Sequence, residues 1–593
     1  MIPVRCVPAR VRSSVARRRW AVGLVLCALL PITACSTKSS GTTVTPAAAA
    51  PSPAPGSLAS STVSPGVTQF SAPDQGAVMW GMSQSKAAPQ QAAATYPVAV
   101  APNGRYLVDD AGQPWRVQAD AAWLMSSEAT PEQVDDYLTT RRAQGFNSFY
   151  LMAMVHPGGY KDYAPNAPND LAGDPPFATP NDFSTAGGSP ESERYWQWID
   201  SIVAKAADHG MVVMLAYTYL GFRGGDQGWY AEVLEQRDRQ TLFDWGKWIG
   251  TRYRDAKNLI WFGLGDFAPP EGSEGAARAR AMADGIKAAG AQQLFMAEPT
   301  GGDGIPSQAP DFGPIVDMNS FYGYGPGDKG AVYQTANDAY RIHPALPAWM
   351  EEGTYENENN TGTFSGQPWD TRRGRFWSVL GGGTAGDGFG SSEVWQWRNI
   401  PASWHTPGAD YSRFAFDLFA AMPWWTLRPS GTDAGFAGFD LVPSGGGTYG
   451  KTDFITSALT EDRHWLLAYV PVTHDGARTF SVDTDALDGP VRARWFDPAT
   501  GTYLAIGDGQ AHPMAGAQSF TTPGARGDGT DDWVLVLDTE PDPCGTISST
   551  GLYTAPSTPT PAGVVCEVTA TRQSDLAVVS RSGNVASGSV AGG

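Results

Sequence analysis

Apolar and polar residues follow two different rhythms along the central part of the chain. Nearly continuous apolar runs of strand length occur at 146–155, 211–220 and 259–266. Between them, 194–210 and 241–258 carry apolar residues at the three-to-four spacing of an amphipathic helix. A strand without polar positions is covered on both faces, as in a parallel sheet flanked by helices. The alternation therefore predicts βαβ units.

The number of such units predicts the fold class. A first strand is expected within 115–124, and the later segments bring the total to about eight strands over some 330 residues. We therefore predict an α/β fold, a (β/α)8 TIM barrel over 96–430. Short strands separated by turns follow at 431–540, which predicts a C-terminal antiparallel β-sandwich domain.

The N-terminus has the pattern of an export signal. Six arginines between 5 and 19 precede the apolar run 20–34, and Cys35 follows directly. The stretch "ITAC" resembles the lipobox of bacterial lipoproteins, which implies lipidation at Cys35. We expect 1–35 to be a lipoprotein signal peptide and the protein to be extracytoplasmic, held at a periplasmic or cell-surface membrane by the lipid anchor alone. The alternative is an ordinary signal peptide that is cleaved nearby.

The regions that flank the two domains have few apolar residues. Residues 36–95 are rich in Ser, Thr, Pro and Ala, which predicts a disordered tether. Residues 541–593 resemble a fragment of a bacterial Ig-like repeat followed by a disordered tail. Cys544 and Cys566 could form a disulfide in an exported chain, although nothing in the sequence fixes their distance.

Composition and charge exclude several classes of partner. The net charge of -19 argues against nucleic acid, which is bound through clustered Lys and Arg. The seven histidines show no metal-ligand spacing, so we expect no metal and no cofactor. Gly445–Thr452 fits the P-loop expression, but the following residues indicate a β-hairpin rather than the helix that a phosphate site needs, so no nucleotide is expected.

Acidic side chains at predicted strand ends supply candidate chemistry. Asp120, Asp266, Asn319, Glu351 and Glu352 all fall where a strand should give way to a βα loop, the end at which barrel enzymes place their catalytic groups. Asp266 ends the fourth strand, and the glutamate pair ends the seventh, on the opposite side of the barrel mouth. Two facing carboxylates are the requirement of glycoside hydrolysis.

Several ordered motifs resemble one family of barrel enzymes. "LVDDAGQPWRVQADAAWLM", "NLIWFGLGDF", "EEGTYE" and "FWSVLGGGTAGDGFG" resemble the apiosidase-like catalytic family over about 100–430, and "ARWFDPATGTY" with "DDWVLVLD" resembles the collagen-binding-type β-domain that follows it. The resemblance implies that Asp266 is the acid/base and Glu352 the nucleophile of a retaining glycosidase. It also implies a furanosidic substrate, since the family's activity removes apiose from plant pectin.

The sequence departs from the family pattern at three places. Glu298 stands where many relatives have a histidine, so a contact to the sugar is expected to differ there. Adjacent strand residues point to opposite faces, so we expect Glu352 in the mouth and Glu351 packed outside it or in a salt bridge. Many barrel glycosidases end the fourth strand in Asn-Glu, but here the pair is Gly265-Asp266, which predicts free space beside the acid.

Each candidate residue also has a structural interpretation. Asp266 could be a helix N-cap, and Asp120 could either orient a substrate hydroxyl or cap the helix that begins near Thr130. Aromatic side chains near strand ends could stack on sugar rings or simply fill the core. The predicted substrate-binding set is Asp120, Trp123, Tyr150, Tyr217, Glu298, Asn319, Tyr322, Tyr355 and Trp395.

Two functional hypotheses follow from these features. The first is a surface-anchored, monomeric, retaining exo-glycosidase that acts on a carbohydrate, with Asp266 and Glu352 as its catalytic pair. The second is a noncatalytic glycan- or protein-binding lipoprotein, an adhesin that uses the barrel as a scaffold. A binding module has no need of both acids, so their presence favours the enzyme.

Overall fold

The computed structural model describes residues 94–299, 304–323, 332–358, 366–431 and 440–539, with the backbone of short strands at 68–69, 78–86, 546–547, 552–554 and 564–572. The predicted signal peptide with Cys35, the tether and the C-terminal tail lie outside the described residues except for these strand backbones. The side chains of Cys544 and Cys566 also lie outside them. The lipidation and the disulfide therefore stay predictions.

Eight parallel strands form the predicted barrel. Their hydrogen-bonded order is β5-β4-β3-β2-β1-β8-β7-β6. This arrangement confirms the predicted (β/α)8 fold. The strands are β1 (Val117–Ala121), β2 (Ser148–Met152), β3 (Val212–Ala216), β4 (Leu259–Leu264), β5 (Phe295–Glu298), β6 (Asn319–Gly323), β7 (Ala348–Gly353) and β8 (Gly386–Phe389).

Hydrogen bonds from β6, and from Asp317 just before it, reach β5 and so join the two ends of this pairing order. The backbone N–H of Asp317 donates to Phe295 O at 2.8 Å, and the N–H of Phe295 donates to Asp317 Oδ2 at 2.8 Å. Further along the seam, Ser320 Oγ donates to Ala297 O. The carboxyl ends of all eight strands therefore surround one mouth.

Helices that start at well-formed caps alternate with the strands. Thr130 and Gln133 form a capping box at the first helix, and Ser189 and Ser273 cap two later ones through their side chains. Shorter helices lie at Met125–Glu128, Tyr230–Glu235 and Ser392–Trp395. The longer helices are α1 (Pro131–Ala143), α2 (Pro190–Asp208), α3 (Arg239–Tyr253), α4 (Glu274–Ala288), α5 (Val332–Arg341), α6 (Pro368–Leu380) and α7 (Pro407–Ala420).

Large apolar side chains fill the barrel interior below the mouth. Met214, Ile260, Met296, Met318 and Trp349 belong to one buried cluster inside the strands. A second cluster fills the layer between strands and helices, where strand residues of the opposite face point. The closed interior leaves the C-terminal ends of the strands as the place where a substrate can bind.

The C-terminal domain consists of antiparallel strands in two sheets. The larger sheet has the order β9-β10-β11-β16-β13-β14, and β12 pairs with β15. Among the described residues, no helix has the length and apolar character needed to cross a membrane. The strands are β9 (Leu427–Pro429), β10 (Thr456–Thr460), β11 (Trp465–Val470), β12 (Thr479–Asp483), β13 (Arg492–Phe496), β14 (Tyr503–Ala505), β15 (Ala517–Thr521) and β16 (Trp533–Asp538).

The glycine-rich stretch Gly445–Thr452 forms turns that lead into a strand. Gly445, Gly447 and Gly450 adopt positive φ angles, and strand β10 begins at Thr456. A phosphate cradle needs a helix N-terminus at this place. The match to the P-loop expression is therefore a match of letters, without the structure that gives the motif its function.

Candidate active site

The end of strand β4 adopts an unusual backbone conformation. Leu264, Gly265 and Asp266 have φ angles of 68°, 88° and 59°. This left-handed region costs non-glycine residues roughly 1–2 kcal/mol each, so the surrounding structure must hold them in place. The carbonyls of the three residues accept hydrogen bonds from the N–H groups of Leu220, Gly221 and Arg223 at 2.8, 3.1 and 3.1 Å. The loop after β3 thus fixes the conformation of the loop after β4.

Asp266 lies in the mouth and does not cap a helix. The next helix, α4, begins at Glu274 with Ser273 as its N-cap, so the capping interpretation of Asp266 is wrong. The hydroxyl of Tyr219 donates to Asp266 Oδ2 at 3.0 Å, and the hydroxyl of Tyr322 donates to Oδ1. The backbone N–H of Asp266 donates to Glu298 Oε2 at 3.1 Å. Three strands therefore contribute to the orientation of this carboxylate.

A β-bulge in β7 resolves the register of the two adjacent glutamates. Phe321 pairs with Met350 and Tyr322 pairs with Glu352, so Glu351 is the extra residue. A bulge interrupts the alternation of faces and re-aims the side chains around it. Glu351 is 1% exposed, and neither of its carboxyl oxygens has a hydrogen-bond partner. The expectation that Glu351 packs outside the mouth or in a salt bridge is wrong: it follows Trp349 on the interior face of β7, and the negative charges of Glu352 and Asp266 act on it.

Two tyrosine hydroxyls lie beside the carboxyl of Glu352. The hydroxyls of Tyr322 and Tyr355 lie close to its carboxyl and lower its pKa, against the larger effect of burial. Tyr355 in turn accepts a hydrogen bond from Trp123 Nε1 at 3.0 Å. Tyr322 therefore contacts both members of the predicted catalytic pair, since it also donates to Asp266.

Three neighbouring carboxyls in the mouth have raised pKa values. Burial is the largest cause for Glu298, Glu351 and Glu352, and it raises each pKa because the charged form loses its hydration. The negative charges of the other carboxyls act in the same direction; for Glu298 the strongest are Glu352 and Asp266. The site therefore retains protons at a pH where ordinary carboxyls have lost them.

Four of the predicted substrate-binding aromatic residues lie at or below the mouth. Trp123 stacks on Tyr150 with ring centroids 4.8 Å apart, and the Tyr150 hydroxyl donates to Glu351 O. Tyr322 and Tyr355 contact the catalytic pair as described above. Tyr150 is fully buried, so it supports the floor of the site instead of offering a free face to a sugar.

Trp395 lies in an aromatic cluster after β8. Its ring is 5.8 Å from that of Tyr160 and 5.5 Å from that of Tyr163, and its Nε1 donates to Glu358 Oε1 at 3.0 Å. The hydroxyl of Tyr160 lies close to that of Tyr219, which donates to Asp266 and so links this cluster to the carboxylate. Tyr160 and Tyr219 could not be identified from the sequence, because both follow their strands by several residues and no spacing rule reaches that far into a loop.

Tyr217 points away from the mouth. Its ring packs in the layer between strands and helices, 6.0 Å from Phe295 and 6.4 Å from Trp261. Tyr219, two residues later in the same loop, is the tyrosine of this segment that reaches Asp266. The prediction that Tyr217 contacts substrate is therefore wrong; it is a core residue.

Asp120 and Asn319 also lie away from the mouth. Asp120 is fully buried on the outer face of β1, where Oδ2 accepts from Arg141 Nε and from the Tyr137 hydroxyl, both at 2.7 Å. It neither orients a substrate nor caps the helix, which Thr130 caps. Asn319 is the first residue of β6 rather than its end, and its Oδ1 accepts from Ser307 N–H at 3.2 Å. Both predictions of substrate contact are wrong.

Metal ligands are not grouped in the part of the chain that the structure describes. There, no set of three or more His, Cys, Asp or Glu side chains is arranged to hold a metal ion. The carboxyls of the mouth instead contact phenols and backbone N–H groups. Proton transfer and nucleophilic attack by carboxyls are the chemistry that this arrangement can perform.

Comparisons with known proteins match both domains. The family described as "Apiosidase-like, catalytic domain" matches residues 101–426, and the family described as "Putative collagen-binding domain of a collagenase" matches 447–538. No curated protein matches the chain.

Solved structures of glycoside hydrolases share the fold. One, named glycoside hydrolase, is 18% identical with a TM-score of 0.61 and covers 75% of this chain and 97% of its own. A glycoside hydrolase family 5 protein from Bacteroides vulgatus ATCC 8482 is 18% identical with a TM-score of 0.62, and covers 74% of this chain and 93% of its own. At this identity the likeness establishes the common architecture of barrel and β-domain.

Proposed function

This chain belongs to the apiosidase-like family of glycoside hydrolases, and on that premise we propose that it cleaves a glycosidic bond with retention of configuration, Asp266 serving as acid/base and Glu352 as nucleophile. The observation that carries the proposal is the position of Tyr322, whose hydroxyl donates to Asp266 Oδ1 and lies close enough to the Glu352 carboxyl to lower its pKa. One hydroxyl can reach both only if their nearest oxygens are within roughly two hydrogen-bond lengths, about 6 Å. That separation suits a retaining enzyme, in which the carboxyls are about 5–5.5 Å apart.

The reaction has two steps. Glu352 attacks the anomeric carbon as the glycosidic bond breaks, while Asp266 gives its proton to the departing oxygen. Asp266, now ionised, then takes a proton from water, and the resulting hydroxide displaces Glu352 from the anomeric carbon. The hydroxyls of Tyr322 and Tyr355 beside Glu352 lower its pKa against the effect of burial, and so favour the ionised nucleophile.

The substrate that the family supports best is a terminal furanoside. We propose exo-cleavage of an apiose-like furanosyl residue from a plant or microbial polysaccharide. The closed interior below the mouth supports an exo-acting site, since a sugar that enters at Asp266 and Glu352 meets a floor of packed rings, in which Trp123 lies against Tyr150 and Tyr219. The export signal fits this substrate, because a lipid-anchored enzyme outside the cytoplasm meets such polymers directly.

Hydrolysis by variants of the purified chain tests the mechanism. Asp266→Ala and Glu352→Ala should each lose activity on a panel of 4-nitrophenyl furanosides and pectic oligosaccharides, the acid/base variant by about 10²–10⁴-fold. Asp110→Asn, a change at an exposed turn residue, is the matched control and should keep full activity. Hydrolysis that survives both alanine variants would contradict the assignment.

The anomeric configuration of the first product tests retention separately. NMR recorded during the first turnover should show the substrate's own configuration. Sodium azide should rescue Asp266→Ala with a retained glycosyl azide and Glu352→Ala with an inverted one, since azide then attacks the face that the missing carboxylate occupied. An inverted product from the unmodified protein would exclude Glu352 as nucleophile, and inactivity on every glycan would favour the binding protein.

A further inference from the structure

The space beside the acid at Gly265 is already occupied. A Cβ built on Gly265 would overlap Cδ2 of Tyr219 and approach its Cε2 and Cγ to 3.0 Å. Tyr219 is 6% exposed, so its ring has little freedom to withdraw. The free space that the sequence predicts beside Asp266 is therefore absent, since a side chain from the loop after β3 fills it.

Tyr219 is held on three sides. Its ring lies 5.9 Å from that of Trp123, its hydroxyl donates to Asp266 Oδ2 at 3.0 Å, and the hydroxyl of Tyr160 lies close to it. The next residue, Leu220, donates its N–H to Leu264 O at 2.8 Å. The ring and the strained turn of β4 therefore occupy fixed positions relative to each other.

We propose that Tyr219 and Gly265 form a matched pair: Tyr219 positions the acid/base Asp266 and its ring walls the sugar subsite where an amide side chain would otherwise stand. The proposal rests on the proposed function, because it assigns Asp266 the proton-donor role. Because Tyr219 is only 6% exposed, it offers the sugar the edge of its ring and a phenol in place of an amide. It therefore favours a small furanose ring over a pyranose that needs an amide contact to its 2-hydroxyl.

At position 265, only a glycine is compatible with the packing of the Tyr219 ring. Any side chain there would displace the ring, and the φ of 88° is a conformation that L-residues rarely adopt. The other groups that face Asp266 are Glu298 on β5, Tyr322 on β6 and the Glu351–Glu352 pair on β7, together with Arg223 of the facing loop. Tyr219 is the hydroxyl donor from β3, so its loss leaves Oδ2 without that donor.

Kinetics of Tyr219→Phe test the positioning role. The ring remains but the hydroxyl is lost, so the alkaline limb of the kcat/KM profile should move up by about one to two pH units. Hydrolysis of an alkyl furanoside, which needs a proton on its leaving group, should fall about tenfold or more relative to that of a 2,4-dinitrophenyl furanoside, which does not. Tyr217→Phe removes a buried phenol two residues away in the core and should change neither.

A uniform loss on both substrates with an unmoved pH profile would show a structural role only, and would overturn the positioning role. The subsite role is tested with Tyr219→Ala and Tyr219→Ala/Gly265→Asn. Both should raise the ratio of pyranoside to furanoside hydrolysis, and an unchanged ratio would overturn the specificity role.

Two measurements decide the pairing without any turnover, and so separate its failure from that of the proposed function. In thermal unfolding, Gly265→Ala should lower Tm about twice as much in the natural background as in Tyr219→Ala, since the overlap exists only in the former. In 13C NMR of aspartate-labelled protein, with Asp266→Asn identifying the resonance, Asp266 should titrate at higher pH in Tyr219→Phe than in Tyr217→Phe. Equal Tm losses or equal titrations would overturn the pairing even if the enzyme cleaves furanosides as proposed.

Discussion

Arg372 of helix α6 and Asp532, next to strand β16, form a buried two-point ion pair between the barrel and the β-domain. Arg372 Nε donates to Oδ2 and Nη2 donates to Oδ1, each at 2.8 Å, and the two side chains are 1% and 0% exposed. Nearby, the rings of Phe376 and Tyr469 stack at 5.0 Å. The β-domain is thus packed onto α6, the helix that follows strand β7, and is not a freely attached module.

Breaking this ion pair should destabilise the protein strongly. Arg372→Ala leaves the Asp532 charge buried with fewer partners, which costs about 3–5 kcal/mol in comparable pairs. The loss should appear in calorimetry as a lower Tm for barrel and β-domain together. Arg194→Ala, at the exposed pair with Asp174, is the control and should leave Tm nearly unchanged. Separate transitions for the two domains in unmodified protein would contradict the tight docking.

The ionisation of Glu352, the proposed nucleophile, should set the pH dependence of kcat/KM on the acid side. Burial and the charge of Asp266 raise the pKa of Glu352, so this carboxyl stays protonated, and inactive, to a higher pH than an ordinary glutamate. The acid limb of kcat/KM should therefore lie above about pH 4.3, the usual glutamate value. In Asp266→Asn the neighbouring charge is gone, and the acid limb measured with a 2,4-dinitrophenyl furanoside should move to lower pH. A limb that does not move would place Asp266 too far away to act on Glu352.

Much of this arrangement could be predicted from the sequence, because strand ends in a parallel barrel converge whatever the details of packing. A count of strands and the family motifs were enough to predict that Asp266 and Glu352 lie at strand ends around the mouth. The orientation of Glu351 and Glu352 could not be predicted, since the β-bulge that lets both adjacent side chains face the interior depends on pairing with β6 and has no signature in the residues themselves. Which of Tyr217 and Tyr219 faces the mouth could not be predicted either. The strand ends at Ala216, and the alternation of faces ends with it.

Glu351 should destabilise the fold at neutral pH. Burial, with the charges of Glu352 and Asp266, raises its pKa in the folded protein above the unfolded value. The folded state therefore holds this proton more tightly, and the associated stability is complete below the unfolded pKa and is lost as the pH rises toward the folded pKa. Glu351→Gln removes the ionisation, so it should raise Tm at pH 8 and change it little at pH 4.

Thermal unfolding of Glu351→Gln at the two pH values checks this expectation. Glu461→Gln, at an exposed turn of the β-domain, is the matched control and should show no such difference. A Tm gain that is equal at pH 4 and pH 8 would mean that amide packing, and not the lost charge, causes the stabilisation.

The last prediction distinguishes a residue that stabilises the barrel wall from a residue that acts in the mouth. Asp120→Asn should destabilise the protein by about 3–5 kcal/mol, because Arg141 would keep a buried charge beside Tyr137 without its carboxylate partner. The folded fraction should retain its kcat/KM, since Asp120 faces the helices. Glu298→Gln should behave in the opposite way: it retains an oxygen that can accept from Asp266 N–H and removes a carboxyl whose pKa burial raises, so stability should not fall and the pH profile should shift. Denaturant unfolding and kcat/KM measured on the same preparations test both. If Asp120→Asn lost activity with its stability intact, Asp120 would belong to the substrate site that the sequence had suggested.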